Sequence, residues 1–127
     1  MKDKIKFYKC PICGNIIEVV NGDVSRVKCC GSELVELTAN TEDAALEKHV
    51  PVYEVENNEI IVKVGSVIHP MEEKHYIEWI ILETNLNTHI KKLTPSDEPK
   101  ADFALVNGES VVNVYEYCNL HGFWKSE

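Results

Sequence analysis

Runs of β-branched and aromatic residues, turn dipeptides between them and almost no helical periodicity predict an all-β chain. Four cysteines crowded near the start, a fifth far down the chain and five histidines predict that it binds metal. The two observations combine into a small metal-stapled module followed by an antiparallel β-sandwich.

In the first module Lys4–Tyr8, Asn15–Val20 and Val24–Cys29 read as short strands, with Asn21-Gly22-Asp23 as a hairpin turn. Residues 1–36 fall short of the roughly 40 at which a hydrophobic core alone usually suffices. Such a module needs a staple, and a metal held by Cys10, Cys13, Cys29 and Cys30 supplies one. The stretch around Thr38–Asp43 has no apolar periodicity and reads as a linker. Residues 37–127 then form the second domain. Val52–Glu56 and Ile60–Val64 flank the turn signal Asn57-Asn58, and Tyr76–Leu82 is nearly all apolar, as in a buried central strand. Ala101–Val106 and Val111–Tyr117 flank Asn107-Gly108, read as another hairpin. Only Glu42–Lys48 looks helical. Five to seven strands in about 90 residues point to an antiparallel sandwich.

With 44% hydrophobic and 27% charged residues the 127-residue chain has the balance of a soluble globular protein. Its net charge of −8 argues against nucleic acid as a partner. No run approaches the roughly 18 apolar residues of a membrane span. The opening MKDKIKFYKCPICG lacks the apolar stretch of a signal peptide, so a cytoplasmic location is expected. The charge is unevenly divided: residues 1–36 carry +1 and residues 37–127 carry −9.

Cys10-Pro-Ile-Cys13 lets two thiolates from one turn reach a single ion, and Cys29-Cys30 completes a tetrahedral set suited to zinc or iron. A zinc ribbon would carry a second spaced pair here, whereas these two cysteines are adjacent. A redox disulfide of the Cys-x-x-Cys type lacks its usual βαβ setting.

Further along, His49, His69, His75, Cys118 and His121 fall near predicted strand ends. Cys118-Asn-Leu-His121 offers two ligands from one turn, His69-Pro70 follows one strand, and His75 opens another. Singly, each histidine is more often a surface or packed side chain, and the lesser alternative for Cys118 is a free thiol packed under Trp124. Taken together they suit iron: five ligands leave one position open on an ion that prefers six, and a thiolate opposite it favours reduction of a small oxygen species. His89, without a partner in its turn, reads as a surface residue.

These motifs resemble a known family. Tyr8-Lys-Cys-Pro-Ile-Cys-Gly-Asn, Cys29-Cys-Gly, Glu47-Lys-His-Val-Pro, His69-Pro-Met with His75-Tyr-Ile-Glu-Trp-Ile, and Cys118-Asn-Leu-His-Gly-Phe-Trp are similar to desulfoferrodoxin, the two-iron form of superoxide reductase. The resemblance implies a desulforedoxin-like N-terminal module with iron on four cysteines, and an immunoglobulin-like β-sandwich with a second iron. Two irons per chain follow. The second would take His49, His69, His75 and His121 as equatorial ligands and Cys118 as the axial one. Glu47 matches the residue that occupies the open position when the iron is oxidised, and Lys48 the lysine that draws in superoxide and orients or protonates the product. The implied reaction is one-electron reduction of superoxide to hydrogen peroxide for detoxification, with rubredoxin or a similar electron donor, in a cytoplasmic homodimer. For the four-cysteine iron, an electron relay and a structural staple fit equally.

Overall fold

The computed structural model describes residues 5–126, so Lys4, the predicted start of the first strand, lies outside them. The chain divides into two compact units, one ending at Thr38 and the other beginning at Ala39. The class is all-β, as expected.

The first unit holds β1 (Phe7–Lys9), β2 (Ile16–Glu18), β3 (Lys28–Cys29), β4 (Ser32–Glu33) and β5 (Val35–Glu36). They form an antiparallel sheet in the order β2-β1-β5 and a separate β3-β4 ribbon. The strand expected over Val24–Cys29 shrinks to Lys28–Cys29. Its first half is turned instead: Asp23 Oδ1 accepts the Ser25 N–H at 2.9 Å, and the Val27 N–H reaches the Val24 carbonyl at 3.0 Å. A side chain that bonds the backbone two residues on competes with strand pairing. Asn21-Gly22-Asp23 therefore closes no hairpin. The ribbon turns at Cys30-Gly31, where φ is +52° and +73°, the handedness a two-residue hairpin turn requires.

The second unit contains α1 (Leu46–His49) and seven strands: β6 (Pro51–Glu56), β7 (Glu59–Val64), β8 (Ile77–Thr84), β9 (Thr88–Lys92), β10 (Lys100–Ala104), β11 (Val111–Cys118) and β12 (Gly122–Lys125). They make two antiparallel sheets, β10-β7-β6 and β12-β11-β8-β9, the three-plus-four arrangement of an immunoglobulin-like sandwich. Alternation puts Ile60, Val62 and Val64 of β7 and Ala101 and Phe103 of β10 inward. They meet Ile77, Ile80 and Leu82 of β8 and Val114 and Cys118 of β11 in one core. The thiol of Cys118 is thus a core group at the end of an inner strand.

Asn57-Asn58 closes the β6–β7 hairpin as expected. Asn107-Gly108 does not close one, because β10 pairs with β7 and β11 with β8, so the turn crosses between sheets. Glu109 explains the crossing. Its carboxylate accepts the Val106 N–H at 3.0 Å, the Thr84 hydroxyl at 2.6 Å, the Asn87 amide at 3.2 Å and the His89 ring at 2.7 Å, tying the turn to the β8–β9 connection. His89, expected at the surface, is instead partnered and only partly exposed. The helical stretch expected over Glu42–Lys48 contracts to the single turn of α1, whose N-cap residue Ala45 offers no side-chain acceptor.

The Thr84 hydroxyl and the His89 ring hold the Glu109 carboxyl down to about 2, from an ordinary 4.5. A depressed carboxylate contributes stability that is complete above its unfolded pKa and is lost as pH falls through the folded one. We expect thermal stability to decline between pH 4.5 and about 2. Glu109→Gln should lower the Tm at neutral pH and flatten that acid limb, as followed by circular dichroism.

Candidate metal centres

The first group is built by two turns. Cys10 follows β1 directly, and the chain turns back through Cys10 N–H to Asn15 O at 2.9 Å and Gly14 N–H to Cys10 O at 3.0 Å, with Gly14 at φ +81°. The amides of Ile12 and Cys13 point at Cys10 Sγ, at 3.4 and 3.5 Å. Those bonds, the Cys13 amide foremost, pull the Cys10 thiol down to about 6, so it is the readiest thiolate. From the other turn, Cys29 ends β3 and Cys30 takes the left-handed conformation. That change of hand lets adjacent side chains serve one point. All four sulfurs lie within 4.8 Å of one another, and Cys13 and Cys29 are 3.5 Å apart.

The second group gathers at one end of the sandwich. His49 comes from α1, His69 and His75 from the β7–β8 connection, Cys118 from the last position of β11 and His121 from the β11–β12 turn. The ligand atoms of His49, His75, Cys118 and His121 lie within 4.8 Å of one another. His69 completes a ring of imidazoles. Successive centroids are 4.8 Å (His69–His49), 4.8 Å (His49–His121), 5.0 Å (His121–His75) and 4.6 Å (His75–His69) apart. The His49–His75 diagonal is 6.5 Å. Cys118 approaches from the core side, its sulfur 3.9 Å from His121 Nδ1, whereas Glu47 and Lys48 are exposed. The structure therefore brings all five expected ligands together.

Proton placement shows what this ring suits. His49 donates from Nδ1 to the Ala45 carbonyl at 2.7 Å, and His69 from Nδ1 to the Pro70 carbonyl at 2.6 Å. Their Nε2 atoms are therefore lone pairs. His49 Nε2 meets His121 Nδ1 at 3.1 Å, while Nε2 of His69 and of His75 is buried with no hydrogen-bond partner. A buried polar group left unpaired costs about 1–3 kcal/mol, and here two lie side by side. A cation shared by the ring satisfies both. Burial favours the neutral form that ligands need in three of them: it lowers His49 and His75 and takes His69 to about 4. Burial raises the Cys118 thiol, opposed by the amides of His121 and Leu120 aimed at the sulfur. Glu116, on the same strand, is fully buried with both oxygens unpartnered, and burial holds its carboxyl well above the ordinary range.

Three supports were not legible beforehand. Trp124 donates its indole N–H to the His121 carbonyl at 2.9 Å and stacks on His49 at 5.0 Å. The Val67 N–H and Ser66 hydroxyl both reach the Glu47 carbonyl, at 2.8 and 3.3 Å. Gly65 lies so close that a Cβ would stand 2.6 Å from that same oxygen. Of these only Trp124 had a signal, its place just after the Cys-x-x-His turn.

The family described as Desulfoferrodoxin matches residues 41–127, and its N-terminal domain matches residues 2–37. The chain belongs to the desulfoferrodoxin family. It is 54% identical to a desulfoferrodoxin of Syntrophotalea carbinolica over 100% of this chain and 99% of that protein. With the desulfoferrodoxin of Nitratidesulfovibrio vulgaris it shares 46% identity, covering 100% of this chain and 99% of the other. The crystal structure of the superoxide reductase from Treponema pallidum superposes with a TM-score of 0.83 at 38% identity, covering 98% of this chain and 100% of that one. Both donor sets fit this family's iron: four thiolates in one unit, four imidazoles and a thiolate in the other.

Protein purified without added metal should carry two irons per chain. Cys13→Ala should remove one of them, leave the other, and abolish the four-thiolate absorption, as read by elemental analysis and visible spectroscopy.

Proposed function

We propose that this chain is a superoxide reductase, converting superoxide, one electron and two protons into hydrogen peroxide. The observation that carries the reading is the ring of four imidazoles above a buried thiol, with an exposed lysine and glutamate on the adjoining turn. Iron held by His49, His69, His75, His121 and Cys118 would supply the electron and an open position for a small anion. The chain's residues do the rest. Ala45 O and Pro70 O hold two imidazoles in the tautomer that turns Nε2 inward. Cys118 presents its sulfur from the water-free core.

Lys48 places a positive charge near His75 within a domain of strongly negative net charge, drawing in the anion and offering a proton to the product. Glu47, the residue before it on α1, would offer its carboxylate to the iron between turnovers. The backbone carbonyl between their side chains is clamped by Val67 and Ser66, so both project from a fixed base.

The reading extends to residues 1–36 as the desulforedoxin-like module and 37–127 as the reductase domain. It takes rubredoxin or a similar carrier as reductant, and a homodimer in the cytoplasm as the setting. The family resemblance supports these points, and sedimentation tests the dimer.

Lys48→Ala should slow the bimolecular reaction with superoxide by about tenfold at low ionic strength and progressively less as salt screens the charge. A salt-independent rate equal to that of the parent chain in pulse radiolysis would remove the steering role. Glu47→Ala should leave this first step nearly unchanged and alter only the spectrum of the resting oxidised protein.

A further inference from the structure

The four imidazoles are not held alike. His49 and His69 are fixed by ring bonds to carbonyls, and His121 by the Trp124 bond to its own carbonyl. Among the described residues His75 has no such ring bond, and its Nε2 is buried without a partner. Its orientation must come through its backbone.

On one side, Glu72 and His75 exchange two backbone hydrogen bonds, of 2.9 and 3.0 Å, closing a tight turn. On the other side a single residue grips both neighbours of His75. The Asn119 carboxamide oxygen accepts the Tyr76 N–H at 2.9 Å, and its NH2 donates to the Lys74 carbonyl at 3.0 Å. The Asn119 backbone N–H also donates to the Tyr76 carbonyl at 3.2 Å. One residue thus satisfies both backbone groups of Tyr76, one with its side chain and one with its main chain.

The location gives this clamp its meaning. The β8–β11 ladder runs in register from Asn113 to Tyr117, which faces Trp79, and then slips, so that Cys118 faces Ile77. A slip at that point would leave the turn carrying Cys118 and His121 loosely tied to the segment carrying His75. Asn119, between the two ligands, carries the pairing across with its side chain in the place of a strand backbone.

We propose that Asn119 is a positioning residue of the histidine–cysteine centre, acting through residues 74–76 to hold His75 against the same point as Cys118 and His121. It touches neither ligand atoms nor substrate. The inference rests on the metal-centre reading above, but not on which reaction the centre performs.

The test uses the full iron-loaded chain and three variants: Asn119→Ala, Asn119→Asp and, as a control, Asn113→Ala. Asn113 also lies on the β11 side but bonds Glu83, at 3.1 Å, away from the ligands. Chelator competition should show Fe(II) held about 10–100-fold more weakly at the histidine–cysteine centre of Asn119→Ala. The thiolate-to-iron absorption band of its oxidised form should shift. The four-cysteine centre should be unchanged in every variant, and Asn113→Ala should match the parent. Asn119→Asp keeps the acceptor for Tyr76 and loses the donor to Lys74, so it should fall between.

Asn119→Ala holding iron as tightly as Asn113→Ala, with an unshifted band, would overturn the proposal. So would equal weakening at both centres, which would mark a general loss of fold. Should Asn119→Ala not accumulate, Asn119→Asp decides: parent-like affinity and spectrum overturn the inference, and selective weakening supports it. A parent chain that retains no iron on its histidines would end the metal-centre reading and this inference with it. Iron retained without superoxide reduction would end only the proposed function.

Discussion

A neutral imidazole has one proton to place, and in this chain the main chain decides where it goes. The carbonyls of Ala45 and Pro70 take the Nδ1 protons of His49 and His69, which leaves lone pairs facing a common point in a water-poor setting. Such an arrangement is costly until a cation fills it, so the surrounding structure must be stiff enough to hold it open. The stiffness comes from the sandwich. Cys118 is held by the same core that packs Ile77 and Val114, and Trp124, fully buried, holds one ligand by its carbonyl and another by its ring. The four histidines enter from segments joining or preceding strands, and Cys118 from the end of β11. The chemistry can therefore be local while the fold that supports it is not.

The four-cysteine group solves a different problem with different means. Its ligands are exposed or half-exposed apart from Cys10. Two features of the backbone do the work instead. A glycine-terminated turn directs amides at Cys10 Sγ, and a left-handed residue at Cys30 lets neighbouring side chains serve one point. The adjacency of Cys29 and Cys30 is the ordinary geometry of a strand end followed by a two-residue turn.

Much of this was readable in advance where chemistry and local pattern coincide. The alternation in Ile60–Val64 and the apolar run Tyr76–Leu82 mark inner strands, and the ligand residues stand out by type and spacing. The failures share a cause. Val24–Cys29 has the composition of a strand, but the Asp23 carboxylate captures the backbone first. Asn107-Gly108 is a sound turn signal, yet it does not say which strands it joins; the network around Glu109, assembled from residues some 20 positions away, settles that. His89 looked solitary for the same reason. Partners distant in sequence leave no mark on the local pattern, and supports that act through main-chain atoms, such as Gly65 and Val67, leave almost none.

The spacing of the two ligand sets has a consequence for how each comes by its metal. Cys10 and Cys29 are 19 residues apart, whereas His49 and His121 are 72 apart. Loop closure alone separates these by only about 1.2 kcal/mol, two doublings of length. The larger difference is what must already exist. The cysteine turns need little beyond themselves, so an extended or newly made chain can gather an ion there, and thiolates accept zinc as well as iron. The histidine ring exists only after β7, β8, β11 and β12 have paired, so it meets its ion as a finished cavity. One centre takes the metal that is at hand while the chain is still organising. The other admits what fits a shape already made.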